Sequence, residues 1–113
     1  SCDVYLKKEN LQITGAFKIR GAYNKIATLS KEQMKSGVVA ASAGNHAQGV
    51  ALSASKFDIR AVIIMPESTP LTKVNGVKHY GAEVILHGSN YDEAYAYAME
   101  FGKENKLTFI HPF

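Results

Sequence analysis

Short apolar runs alternate along this chain with longer amphipathic ones. Val38–Ser42, Ala61–Met65, Val84–His87 and Leu107–His111 are rich in Val and Ile and mostly do not alternate with polar residues. Continuous apolar runs of this length suit strands of a parallel sheet covered on both faces. The remaining segments carry helical spacing. Ile19, Ala22, Tyr23, Ile26 and Ala27 fall at i, i+3, i+4, i+7 and i+8, a single stripe with Lys18 and Arg20 on its two flanks. Ala47, Val50, Ala51 and Ala54 form a second stripe, with Gly49 allowing close packing. A third helix, about Thr72 to Tyr80, follows Pro66 and Pro70 and is interrupted by Asn75 and Gly76. A fourth is predicted to bury Tyr91, Ala94, Tyr95, Ala98 and Met99, capped by Asn90 or Ser89. The Tyr91–Tyr95 pair reads as core packing rather than as a stacking box for a ligand.

This alternation predicts an open three-layer α/β/α domain with a four-stranded parallel sheet. The expected strand order is 2-1-3-4, with right-handed crossovers. That order places a topological switch point at the carboxyl end of Val38–Ser42, where open α/β sheets receive ligands. The residues there are Ser42, Ala43, Gly44, Asn45 and His46.

Composition narrows the picture. The 113 residues suffice for one domain, and a hydrophobic content of 46% argues against disorder. The net charge of +3 is spread along the chain with no basic run, so a nucleic-acid polymer is not an expected partner. No apolar stretch approaches the ~20 residues of a membrane span, and no signal-peptide pattern opens the chain. Cys2 is the single cysteine, which leaves no internal disulfide and makes a reducing, cytoplasmic setting the default. Neither end carries the polar tail that usually flanks a finished domain, so the chain is expected to be a fragment.

Two segments carry candidate chemistry. In Thr14-Gly15-Ala16-Phe17-Lys18-Ile19-Arg20-Gly21, Lys18 falls in the first turn of the first predicted helix. The positive end of the helix, the nearby Arg20 and the apolar Ala16, Phe17 and Ile19 all disfavour an ammonium there. A neutral amine is a nucleophile able to form a Schiff base with an aldehyde cofactor. The plain alternative is a solvated lysine on a helix flank.

The second segment is Ser42-Ala43-Gly44-Asn45-His46-Ala47-Gln48-Gly49, where a strand passes through a glycine into a helix. Gly44 lets backbone approach a ligand, and the N–H groups that follow suit a carboxylate or a phosphate. The amide of Asn45 can donate to a phenolate oxygen. Val50-Ala51 stands where a Walker loop needs Lys and Ser/Thr, and GxGxxG is absent. The four histidines, His46, His79, His87 and His111, lack metal-ligand spacing. His46 has two open readings, a ring bonded to backbone or a direct substrate contact. The other three read as structural. Ser42 lacks the GxSxG context of a nucleophile.

Together the two segments resemble the pyridoxal-phosphate-dependent threonine/serine dehydratases of fold type II. Lys8 to Ala22 is similar to their cofactor-lysine motif, and Ser42 to Ala51 to their asparagine loop. Met65-Pro66, Thr69-Pro70, Lys73, Tyr80-Gly81-Ala82 and the closing His111-Pro112-Phe113 extend the likeness over essentially the whole chain.

The resemblance implies a β-eliminating ammonia-lyase acting on L-threonine or L-serine, with 2-oxobutanoate and ammonia as the products from threonine. It implies pyridoxal 5′-phosphate as a Schiff base on Lys18, Phe17 beside the cofactor ring, and Asn45 on its 3′-oxygen. The Ser42–His46 loop would take the substrate carboxylate. Residues 1–16 would belong to the large cofactor domain of a parent enzyme and residues 17–113 to its small α/β domain.

The family's glycine-rich phosphate loop and the residue that partners the pyridine nitrogen are not in this sequence. The isolated piece is therefore expected to be inactive. Its former large-domain face should pair with another copy, with segment exchange as one route to a homo-oligomer. Serine racemase, a serine-specific dehydratase and a non-catalytic α/β binding module stand as alternatives.

Overall fold

A computed structural model describes residues 20–42 and 44–112. Residues 20–27 are helical (α1). They are followed by α2 (Lys31–Ser36), β1 (Val38–Ala41), α3 (Asn45–Lys56), β2 (Ala61–Met65), α4 (Leu71–His79), β3 (Glu83–Leu86), α5 (Tyr91–Asn105) and β4 (Thr108–Phe109). The expected fold class holds. Four parallel strands form one sheet, with helices packed on both faces.

The apolar runs explain the layers. Val38 and Ala40 of β1, with Ala61, Ile63 and Met65 of β2, point to one face. There they meet Ala22 and Ile26 of α1, Ala47, Val50, Ala51 and Ala54 of α3, and Val74 and Val77 of α4. Val39, Ala41, Val62 and Ile64 point to the other face and meet Ala94 and Ala98 of α5. Each central strand is thus apolar at every position because each side chain has a helix to cover it.

The strand order is β3-β2-β1-β4, not 2-1-3-4. The chain steps outward twice, through α3 and α4 on the same face, before α5 carries it back across the opposite face to the far side of β1. With crossovers of one hand, a reversal of direction requires the helix to change face. That change comes at α5 rather than at α4, since α4 packs on the same face of the sheet as α3. Both orders leave β1 as the interior strand beside which the winding reverses. The switch point therefore stays at the carboxyl end of β1.

Several local details differ from expectation. Helix α2 starts at a reciprocal cap: Gln33 N–H donates to Ser30 Oγ, and Ser30 N–H donates to Gln33 Oε1. It buries no side chain, so an apolar stripe could not reveal it. Asn75 and Gly76 sit inside α4 without breaking it. In α5 the buried residues are Ala94, Ala98 and Gly102, whereas Tyr91 is exposed and Tyr95 and Met99 are half-buried. Gly102 extends the buried stripe to the point where α5 presses on Val39. Asn90 is the cap of α5, its Oδ1 accepting from Glu93 N–H at 2.9 Å. Ser89 instead donates its N–H and its hydroxyl to Glu93 Oε1.

Candidate functional site

The site is built where β1 ends. Ser42 is still held by the sheet, its N–H donating to Ile64 O at 3.1 Å. Two residues later Gly44 is the N-cap of α3, and it has no side chain with which to cap. A helix start carries N–H groups with no acceptor inside the helix. Ser42 supplies an oxygen from the preceding strand end, accepting from Gly44 N–H at 3.2 Å and from Ala47 N–H at 3.1 Å. Buried Ser42 thus braces the turn from inside.

His46 braces it from the other side. Its ring is buried, and Nε2 lies 3.3 Å from the carbonyl oxygen of Ile110, just beyond β4. A carbonyl only accepts, so Nε2 carries the hydrogen in this contact. Of the two readings of His46, the backbone-bonded one is therefore the geometry found. Ile110 was not legible as part of this site, because 64 positions separate it from His46.

These braces hold the opening of α3 at the switch point. Its first turn contains no acidic residue to neutralise the partial positive charge of the helix end. Asn45, the first helical residue, is exposed. A Cβ on Gly44 would meet nothing within 4 Å among the described residues, and φ there is −160°, a value open to any residue. Among the described residues nothing crowds the position that a Cβ would take there. The helix start and the exposed Asn45 amide form a donor set that fits an anionic, oxygen-rich group.

Ser42, Gly44, Asn45 and His46 sit at the turn from β1 into α3. Lys18, Phe17 and Ala43 lie outside the described residues. The remaining histidines are engaged elsewhere in ring contacts: His79 with Tyr80, His87 stacked on Tyr97 at 4.0 Å, and His111 edge-on to Phe109. No group of three or more His, Cys, Asp or Glu among the described residues is placed to hold a metal ion. No described helix is long and apolar enough to cross a membrane.

Fold and site define an open α/β protein with a glycine-capped, acid-free helix start at the carboxyl end of its central strand. Residues 1–113 match the family of pyridoxal-phosphate dependent enzymes, and the chain belongs to that family. It is 59% identical to the L-threonine ammonia-lyase of Thermotoga maritima over 98% of its own length and 28% of that protein's. It is 54% identical to the biosynthetic L-threonine dehydratase of Haemophilus influenzae, covering 98% of this chain and 22% of the relative. Among solved structures, threonine deaminase isoform 2 of Solanum lycopersicum superposes with a TM-score of 0.83 at 46% identity, over 86% of this chain and 28% of that one. Maize serine racemase gives 0.81 at 40% identity, over 86% and 30%. The chain thus spans under a third of the length of each of these proteins.

Proposed function

We propose that this chain is part of a pyridoxal-phosphate-dependent dehydratase that converts L-threonine to 2-oxobutanoate and ammonia. The observation that carries the reading is the glycine-capped, acid-free start of α3 at the switch point, found in a chain whose relatives are threonine ammonia-lyases and dehydratases. When bound, the cofactor supplies an electron sink for the pair left on the substrate α-carbon. The roles of this chain's own residues follow.

Lys18 is the attachment lysine. With its amine free, it would take the α-proton of the substrate. Phe17 would pack beside the cofactor ring, and the exposed Asn45 amide would donate to the ring oxygen. The substrate carboxylate would rest on the Ser42, Ala43, Gly44, Asn45, His46 turn, where Ser42 N–H is held by Ile64 O and Gly44 N–H by Ser42 Oγ, which leaves the donors of the helix start to meet it. Loss of hydroxide from the β-carbon, with proton assistance, followed by hydrolysis of the released product, yields the oxoacid and ammonia. The same site accepts serine, giving pyruvate.

Biosynthetic and catabolic dehydratases are matched at 54% and 56% identity, so the reading names a reaction and not a metabolic route.

The cytoplasmic setting, the division into residues 1–16 and 17–113, and assembly as a homo-oligomer belong to the same proposal. They rest on the lone cysteine, the motif order and the relatives' greater length. The test is product analysis on the full-length protein supplied with L-threonine or L-serine. Formation of 2-oxobutanoate and ammonia from threonine supports the reading, and conversion of L-serine to D-serine without ammonia rejects it. The 113-residue piece alone should release no ammonia.

A further inference from the structure

We infer that His46 is a positioning residue, setting the aim of the anion-receiving turn by tying it to the end of β4. The inference rests on the reading of the α3 start as the carboxylate site. Its ground is the geometry of that start. Ser42 Oγ fixes the turn to β1 through Gly44 and Ala47 N–H. That bracing ties the opening of α3 to the end of β1, while the buried face of α3 holds the body of the helix against the sheet. The His46 ring adds an anchor on a second strand, because Nε2–H donates to Ile110 O at 3.3 Å from a buried position. Ile110 is in turn locked to β1, its N–H donating to Val39 O at 2.9 Å, and its side chain is buried in the core. Two strands on one side of the reversal thus hold the helix opening at two points. Its outward N–H groups then have one direction rather than a range. A carboxylate bound by aligned backbone donors is sensitive to this, since small misplacements of a bound group cost large factors in rate.

Two substitutions in the full-length protein separate aim from packing. His46→Ala removes the donor, whereas His46→Gln returns an N–H donor near the Nε2 position. One readout is the affinity of the cofactor-loaded protein for L-alanine, a substrate-like amino acid with no leaving group. The other is hydrogen exchange of the Ala47 amide in cofactor-free protein. His46→Ala should weaken L-alanine binding on the order of tenfold or more and speed Ala47 exchange, and His46→Gln should restore both. Unchanged affinity and exchange in His46→Ala would overturn the inference. So would equal impairment of the two variants, because the donated hydrogen would then not matter. Failure of the underlying reading shows separately, as a wild-type protein that does not take up the cofactor at all, and Ala47 exchange still tests the anchor there.

Discussion

Gly102 of α5 stands so close to β1 that a Cβ placed on it would lie 2.9 Å from Val39 Cγ1. Val39 is fully buried in the interior strand of the sheet, and a β-branched side chain there has little room to turn aside. The glycine therefore sets how near α5 can lie to the sheet. Gly102→Ala gains up to ~1 kcal/mol of helix propensity. Overpacking against a fixed neighbour costs about 1–3 kcal/mol. The clash should win, so the variant is expected to unfold at lower denaturant concentration than the parent protein. A midpoint equal to or above that of the parent would show that the helix can slide away.

Ser42 offers a second test, because it acts here as a brace and not as a reagent. Ser42→Ala leaves Gly44 N–H without its oxygen, while Ala47 N–H keeps a bond to Gly44 O at 3.1 Å. Loss of a capping oxygen costs about 1 kcal/mol. The expected result is a drop of that size in stability from denaturant unfolding, with a raised KM for the amino acid. Abolished turnover with unchanged KM would instead point to a chemical role for the hydroxyl.

Arg60 and Glu83 give a pH test away from the site. Glu83, the first residue of β3, accepts from Arg60 Nε at 2.7 Å and from Nη2 at 3.1 Å, just before β2 begins. The hydrogen bonds from Arg60 hold the Glu83 carboxyl below its usual range. Desolvation opposes them in part, and a smaller Coulombic attraction to Arg60 adds to them. A carboxyl depressed in the folded state contributes stability that is present above its unfolded pKa and lost as pH falls through the folded value. Both side chains are about half exposed, so the pair is worth less than about 1 kcal/mol. Glu83→Gln should lower stability slightly at neutral pH. The difference should vanish in acid and shrink in high salt. A difference that grows in acid would contradict the assignment.

The strands and the larger helices were legible in the sequence because their apolar residues repeat with the period of the element that buries them. Ala61–Met65 matches its predicted run residue for residue, and Val50, Ala51 and Ala54 are buried as their spacing implies. Where the physics is not periodic, legibility fails. Helix α2 is announced only by the Ser30 and Gln33 cap, a pattern of Ser followed three residues later by Gln that an apolar stripe does not contain. Strand order depends on which helix changes face, a tertiary matter that no local pattern announces. Tyr91 shares the period of the buried stripe yet is exposed, because it is the first residue of α5, at the end of that stripe. Within the site, the Ser42 to His46 motif could be read as an anion turn from residue types alone. The bond from His46 to Ile110 could not, since nothing local links the two positions.

The most direct test of the central claim is borohydride reduction of the full-length, cofactor-loaded protein followed by peptide mapping. Reduction fixes the cofactor to the amine that holds it. The expected result is a pyridoxyl mass on the peptide that carries Lys18, and no such mass after Lys18→Ala. The label on another lysine, or no label from a protein that binds the cofactor, would contradict the assignment of the chemistry to this chain.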